Sequence, residues 1–401
     1  MNICITQTDD QPEYIGGIER VSSILGKEWQ KKHHVSFISY CTSPLKYKYD
    51  NVCGIPRHFL PDDRAMDSED NYRFLLQYLS DNRIDILLNQ FSDEMEMGRL
   101  CIRVREASGI KLVSTLHFAV THKTDAIRTS FFIRQKEGKA VSRYLLDAMF
   151  WMRFRLFSKR KIEQEFGRYF RGIYQYSDLM VLLSDKFSTD FRRLLGKQIT
   201  DYSKLITINN PVPTELIGLH PHSKEKMIVW CGRLEYSYKR IDRMLEVWKC
   251  FQASHPDWSL YVLGGGNLPM FRRLADRSGL KNINFEGFCN PYEYYERAAI
   301  LCMTSSSEGW PMVLVEGMAH GCVPIVYNSF ASLTDIVMDG MNGFIAKAFD
   351  EKEYVRKLSV LADNSSLRER MSLRGMEYIE QFDSKRIAGR WISEFDKLLE
   401  K

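Results

Sequence analysis

Short apolar runs punctuate the chain at fairly even intervals, with longer mixed stretches between them. They fall at 3–5, 35–38, 84–88, 111–115, 179–183 and 205–208, and again at 227–231, 260–263, 283–285, 300–303, 324–327 and 344–346. Runs this short, without strict alternation, suit strands covered on both faces. The stretches between them carry helical spacing, as in Ile18, Val21 and Leu25. Strands alternating with helices predict a parallel α/β sheet, and the pattern occurs twice.

The two sets are divided by 210–222, where three prolines and a glycine make poor helix or central strand and a good linker. The expected organisation is an α/β domain over 1–210, a linker over 211–224, a second α/β domain over 225–383 and a closing helix over 384–401. In that helix Ile387, Trp391, Phe395 and Leu398 share one face, which Leu399 widens. The pattern leaves open which domain the face covers.

Length and composition agree with this division. A chain of 401 residues exceeds one ordinary core, and 44% apolar with 27% charged residues is the balance of a soluble globular protein. A net charge of +5 is too mild to imply a nucleic-acid partner. Charge is concentrated in one place. Residues 127–171 hold twelve lysines and arginines against four acids, interleaved with aromatics such as Phe131, Phe132, Phe150, Trp151, Phe154 and Phe157. That mixture fits an element seated on anionic lipid, or a surface helical pair whose apolar side faces its own domain.

Nine cysteines without a C-x-x-C pair read as reduced thiols, not a disulfide frame. The first ten residues lack a basic leader and read as a strand, and no apolar run approaches 18 residues. The expected location is cytoplasmic, with peripheral contact at the inner membrane face through 127–171.

The densest chemistry lies in Thr304-Ser-Ser-Ser-Glu308-Gly-Trp-Pro-Met-Val-Leu-Val-Glu316-Gly-Met-Ala-His-Gly321. An apolar strand runs into a polar loop, Pro311 stands where a helix can begin, and Gly321 ends it. Glu308 then lies at the carboxyl end of the strand, with Glu316 roughly 7–8 Å further along the helix axis. Between the carboxylates are the unpaired N–H groups of a helix start, suited to a phosphate. In open α/β sheets this crevice is where ligands bind.

This E-x7-E string resembles the signature of family-four retaining glycosyltransferases of the GT-B fold. Further motifs extend the resemblance. Gly232-Arg233-Leu with Lys239 shortly after is similar to the family's strand-end cations, Asn284-Phe-Glu-Gly287-Phe288 to its F-x-G turn, and Gly16-Gly17 to its N-terminal glycine loop. The resemblance implies two facing Rossmann-like domains with a cleft between them. It further implies transfer of a hexose from a UDP- or GDP-linked sugar, with retention, to a glycan or lipid-linked acceptor in surface polysaccharide or glycolipid synthesis. Arg233 and Lys239 would hold the diphosphate, where cations stabilise the charge growing on the leaving group. Glu316 would bind the ribose, Glu308 the sugar or reaction centre, and Phe288 would lie beside the base. The amides of Met312, Val313 and Leu314 would approach the phosphates from one side, and those of Gly16 and Gly17 from the other. His117, after the strand at 111–115, resembles the family's histidine near the anomeric carbon.

No D-x-D occurs in the chain, so neither an obligatory metal nor a resident cofactor is expected. Two other readings fit a doubled Rossmann pattern. A nicotinamide-dependent oxidoreductase would need a complete glycine fingerprint, but Pro269 stands where the run Gly264-Gly265-Gly266 would need its last glycine. That run reads instead as a turn allowing close backbone approach. The other alternative is a non-catalytic sugar-nucleotide or glycan-binding protein on the same fold.

Overall fold

The computed structural model describes residues 1–8, 16–40, 51–92, 94–119, 159–219 and 223–400. Most of the basic and aromatic segment 127–171 lies outside these residues. The described chain forms two compact units. The first takes the described residues of Met1–Val120, Arg160–Pro213 and Phe382–Lys401; the second includes Thr214–Gln381.

The first unit is built on β1 (Asn2–Thr8), β2 (His34–Tyr40), β3 (Asn51–Val52), β4 (Ile55–Phe59), β5 (Ile86–Asn89), β6 (Lys111–Leu116), β7 (Leu179–Leu182) and β8 (Leu205–Thr207). Their spatial order is β3-β4-β2-β1-β5-β6-β7-β8, parallel except for β3 with β4. The second unit holds β9 (Glu225–Cys231), β10 (Ser259–Leu263), β11 (Ile283–Gly287), β12 (Ala298–Met303), β13 (Val323–Tyr327) and β14 (Phe344–Ala346). These are ordered β11-β10-β9-β12-β13-β14 and are parallel throughout. Two Rossmann-like α/β units in one chain make this the GT-B class of fold.

Every apolar run singled out above is a strand. The β3–β4 hairpin was not anticipated, and its sequence shows why. Ile55 and Arg57 are buried while Pro56 and His58 are exposed, so β4, one place in from the sheet edge, has no continuous apolar run. The turn signal is Cys53-Gly54, both with positive φ (55° and 81°). Two such residues make the type I′ turn that matches strand twist, with cysteine in a slot usually filled by Asn, Asp or Gly.

The helices bury the faces their spacing foretells. Helix Gly17–Trp29 buries Ile18, Val21, Leu25 and Trp29. Helices Glu69–Asp81 and Met95–Ser108 bring Leu75, Leu79, Met97, Leu100 and Val104 to a core shared with Cys4, Leu87 and Leu112. In the second unit Trp230, Trp248, Trp258, Phe251, Phe271 and Tyr354 anchor the core.

The closing helix, Ser384–Leu399, belongs to the first unit. Asp383 caps it by accepting from Lys385 N–H. Its Trp391 and Phe395 rings lie 6.2 and 5.6 Å from that of Trp29, whose Nε1–H donates to Ala388 O at 3.2 Å. Ile387, Trp391, Phe395 and Leu398 are buried as the spacing predicts, but Leu399 is 40% exposed and does not widen the face. The segments leaving and re-entering the unit are stitched together: Val212 N–H donates to Phe382 O and Ser384 N–H to Val212 O, at 2.7 and 2.8 Å.

In each sheet successive strands are laid down first to one side and then to the other. The direction reverses between β1 and β5 in the first unit and between β9 and β12 in the second. At such a reversal the connections leave in opposite directions and open a crevice at the carboxyl ends.

Candidate active site

Arg233 and Glu308 follow the two strands that flank the reversal in the second unit. The sequence Gly232-Arg233 leaves β9, and 304–311 leaves β12. Lys239 reaches across between them, its Nζ donating to Glu308 Oε1 at 2.7 Å, with the side chains 26% and 11% exposed. Its stem lies along Gly232, where an added Cβ would come within 3.3 Å of Lys239 Cδ. Arg233 is exposed at the strand end and forms no ion pair among the described residues. The Cys231 thiol, just below, is pushed up to about 11 by burial, with the Glu316 charge raising it further and Lys239 lowering it. One strand end thus feels both the acid of the helix and the cation of the loop.

Loop 237–240 is held by the chain that leaves β12. Thr304 Oγ1, fully buried, accepts from Trp230 Nε1–H at 3.0 Å and donates to Arg240 O at 3.0 Å. Ser306 N–H donates to Tyr238 O at 2.7 Å, and Ser306 Oγ–H to Ser237 O at 3.0 Å. Arg240 is 8% exposed with φ 52° and ψ 49°, a left-handed conformation uncommon outside glycine. Its guanidinium forms a two-pronged bond to Asp242, both contacts at 2.9 Å, which helps offset the cost of that backbone. From the far side, Ser329 Oγ–H donates to Ser305 O and Ser332 Oγ–H to Gly309 O, each at 2.6 Å. The sequence reading gave no role to these hydroxyls, although the run Thr304-Ser305-Ser306-Ser307 at a strand end was the signal.

The helix Met312–Ala319 begins after Pro311, as expected, and Glu316 lies on it at 1% exposure. Leu314 N–H donates to Pro311 O at 3.1 Å, so this amide is engaged within the first turn. Met312 and Val313 hold the first two helical positions, whose N–H groups have no carbonyl one turn back. The run at 264–266 is a close-approach turn. Gly264 and Gly266 have φ of 136° and 123°, and a Cβ on Gly264 would stand 1.9 Å from Gly232 O. No side chain fits there. Asn267 then caps helix Leu268–Arg277, with Pro269 in its first turn. Phe288 follows the Gly287 turn beside Gly265 and is 51% exposed, a surface ring and not part of the core.

Gly16, Gly17 and His117 belong to the first unit. Gly16 is the extended N-cap of helix Gly17–Trp29, after β1. A Cβ there would meet the Glu19 carboxylate at 1.7 Å. The Glu19 carboxylate therefore lies beside Gly16, and an anion approaching that glycine requires it to swing away. His117 follows β6 and is buried, with Nε2 2.6 Å from Gln90 Oε1. Burial lowers its pKa to about 3. A neutral ring facing that oxygen carries its proton on Nε2, leaving Nδ1 as acceptor. His117 can orient a hydroxyl but adds no positive charge near neutral pH.

Among the described residues no helix is long and apolar enough to cross a membrane, and no group of three or more His, Cys, Asp or Glu side chains gathers as metal ligands would. Cys4, Cys101, Cys302 and Cys322 are buried free thiols.

The fold is that of the GT-B class, and at the strand reversal of its second unit an acid and a cation meet. Comparison with known proteins agrees. Residues 15–216 match Glycosyltransferase Family 4 and residues 216–377 match Glycosyl transferases group 1, and the chain belongs to this family. An uncharacterized glycosyltransferase of Haemophilus influenzae is 29% identical over 222 residues, covering 53% of this chain and 62% of that protein. The chain thus matches about three-fifths of that relative's length. A Campylobacter jejuni α-1,4-N-acetyl-D-galactosaminyltransferase, named for its undecaprenol-diphosphate-linked glycan, is 20% identical over 94% of each chain. Among solved structures, HepE of Anabaena in complex with UDP superposes with a TM-score of 0.75 at 14% identity, over 99% of this chain and all of that one.

Proposed function

We propose that the protein transfers a hexose from a UDP- or GDP-linked sugar to a glycan or lipid-linked glycan, with retention of configuration. The observation that carries this reading is the Lys239–Glu308 contact at the β9/β12 reversal, with exposed Arg233 beside it and Glu316 on the adjoining helix. A nucleoside diphosphate gathers negative charge as the glycosidic bond breaks, and cations already aimed at its oxygens lower that barrier. In this reading Lys239 and Arg233 take the diphosphate, the N–H groups of Met312 and Val313 approach its oxygens, and Glu316 takes the ribose. Glu308 meets the sugar, and Phe288 offers an exposed face to the base. His117 contributes a neutral acceptor to the sugar. Attack by the acceptor hydroxyl on the face the diphosphate leaves is the course proposed, by resemblance to the family. Metal is not required, because the cations are supplied by the chain.

The acceptor is proposed to be lipid-linked, as the name of the Campylobacter relative suggests for that protein. The basic and aromatic segment 127–171 would then seat the protein on anionic lipid at the cytoplasmic face. Flotation with phosphatidylglycerol vesicles tests this: no association, and none lost on replacing Arg153, Arg155, Lys159, Arg160 and Lys161, removes the idea.

The donor is tested by thermal shift with UDP, GDP, ADP and their sugars, since a ligand that prefers the folded chain raises its melting temperature. The expected result is stabilisation by UDP or GDP, weakened in Lys239→Ala and Glu316→Ala, together with sugar transfer that both variants lose. Binding without turnover under any condition would point to a non-catalytic sugar-nucleotide binder instead.

A further inference from the structure

Lys239 has a long, flexible stem on a loop, yet its ammonium must stand at one point if it is to meet a diphosphate. We propose that Thr304 and Ser306 are positioning residues that fix this point, by fastening the Lys239 loop to the end of β12. The inference rests on the donor reading given above and assigns a role to residues that reading does not use.

The geometry is specific. Thr304 and Ser306 alternate with Ser305 and Ser307 along the chain leaving β12, and each turns its hydroxyl to a different carbonyl of loop 237–240. Thr304 Oγ1 is fully buried, so solvent cannot replace its bonds. It is satisfied on both sides, accepting from Trp230 and donating to Arg240 O. Trp230 lies on β9 and Thr304 follows β12, so one hydroxyl joins the two strands at the reversal and the loop that spans them. Ser306 adds its backbone N–H to Tyr238 O and a hydroxyl shared between Ser237 O at 3.0 Å and Tyr238 O at 3.3 Å. Together these bonds grip the carbonyls of Ser237, Tyr238 and Arg240, on either side of Lys239. The loop then turns through Arg240 in a left-handed conformation, held by Asp242. A residue kept in a sparsely populated conformation by surrounding bonds marks a place where the backbone path matters.

The same chain carries Glu308 two residues beyond Ser306. Because Ser329 and Ser332 hold its other edge, the loop bearing the acid and the loop bearing the cation form one unit. The hydroxyls of Thr304 and Ser306 are committed to this internal lattice and do not serve as sugar contacts.

The test uses the full-length chain and whichever of UDP or GDP stabilises it. Thr304→Val keeps the shape and removes the hydroxyl, Thr304→Ser keeps the hydroxyl, and Ser306→Ala removes one side-chain bond at a half-buried position. Calorimetric titration should show about tenfold weaker nucleotide binding for Thr304→Val, as expected when one buried bond is lost and a partner orphaned. Ser306→Ala should fall by about threefold, and Thr304→Ser should return to within about twofold of wild type. Donor turnover should fall further than binding, on the order of a hundredfold for a displacement of roughly 1 Å, with KM for acceptor unchanged. The decisive measurement is the double-mutant cycle. In a Lys239→Ala background Thr304→Val should add less than about twofold, because nothing remains to be positioned. Full additivity would mean that Thr304 only supports the fold, and wild-type binding by Thr304→Val and Ser306→Ala beside an impaired Lys239→Ala would also overturn the proposal. A Lys239→Ala variant indistinguishable from wild type would instead sink the donor reading, and the positioning role with it.

Discussion

At the residue scale the two most informative side chains are a neutral histidine and a paired glutamate. His117 keeps its ring uncharged in the folded chain down to pH of about 3, against an ordinary value of 6.5. Between those limits the unfolded chain holds a proton that the folded chain refuses, so stability is lost as pH falls through this window and is complete above it. The loss at the acid end is on the order of 5 kcal/mol for one fully buried imidazole. Urea denaturation near pH 7 and pH 5 should show the decline, and His117→Gln should flatten it; an unchanged slope would mean that other groups govern acid stability. Glu308 raises a different question, because its carboxylate holds the cation that the proposed donor needs. Nucleotide and Glu308 then compete for Lys239 until the sugar gives the acid a partner of its own. Glu308→Gln should accordingly bind free UDP or GDP more tightly, by about threefold if the neutral amide holds Lys239 less strongly by under 1 kcal/mol, while sugar transfer falls at least a hundredfold. Weaker binding of the free nucleotide would show that the pair is a scaffold and not a competition. The sequence singled out Glu308 through the E-x7-E string and Lys239 through the Gly-Arg strand end that precedes it. Their pairing was not, since spacing along a chain does not say which loops meet.

Elements were legible where burial leaves a mark on composition. A strand covered on both faces favours apolar residues at successive positions. That is why β1, β5, β9 and β12, at the two reversals, stand out as short apolar runs, even though β1 and β5 also bury Thr6, Gln7 and Asn89. The β3–β4 hairpin leaves no such mark, because β4, with alternate residues exposed, needs only Ile55 and Arg57 inside. Helix starts were legible from Pro311 and Asn267, but what occupies a helix start was not. Gly16-Gly17 has the form of an anion-binding turn, yet Glu19 one turn later folds back on it, as acids in a first turn are drawn to the positive end of the helix. The polar run at 304–307 read as a plain loop because hydroxyl residues favour loops in general. Only the carbonyls they reach, in a segment some seventy residues earlier, distinguish a fastening from a linker.

At the scale of the whole molecule, the order of the chain and the order of the units differ. The pattern of runs divides the sequence once, near 210–222, but the last helix returns to the first unit. Its apolar face was plain and its destination was not, because an amphipathic helix states that it needs a surface without saying which. The destination has a thermodynamic consequence. Trp29, Ile387, Trp391, Phe395 and Leu398 are all buried at this joint, and each such side chain contributes about 1.5–3 kcal/mol. Their sum rivals the roughly 5–15 kcal/mol that hold an entire domain folded. A chain stopped after Gln381 should therefore melt in two steps, the first unit at a much lower temperature and the second near its original one. Limited proteolysis should cut the described parts of 1–213 and spare Thr214–Gln381. The nucleotide response should follow the second unit, since Arg233, Lys239, Glu308 and Glu316 all lie there. A single unshifted transition after truncation would mean that the first unit does not depend on the helix that closes it. Loss of the nucleotide response with the second unit still folded would mean that the first unit supplies donor contacts that the second cannot replace.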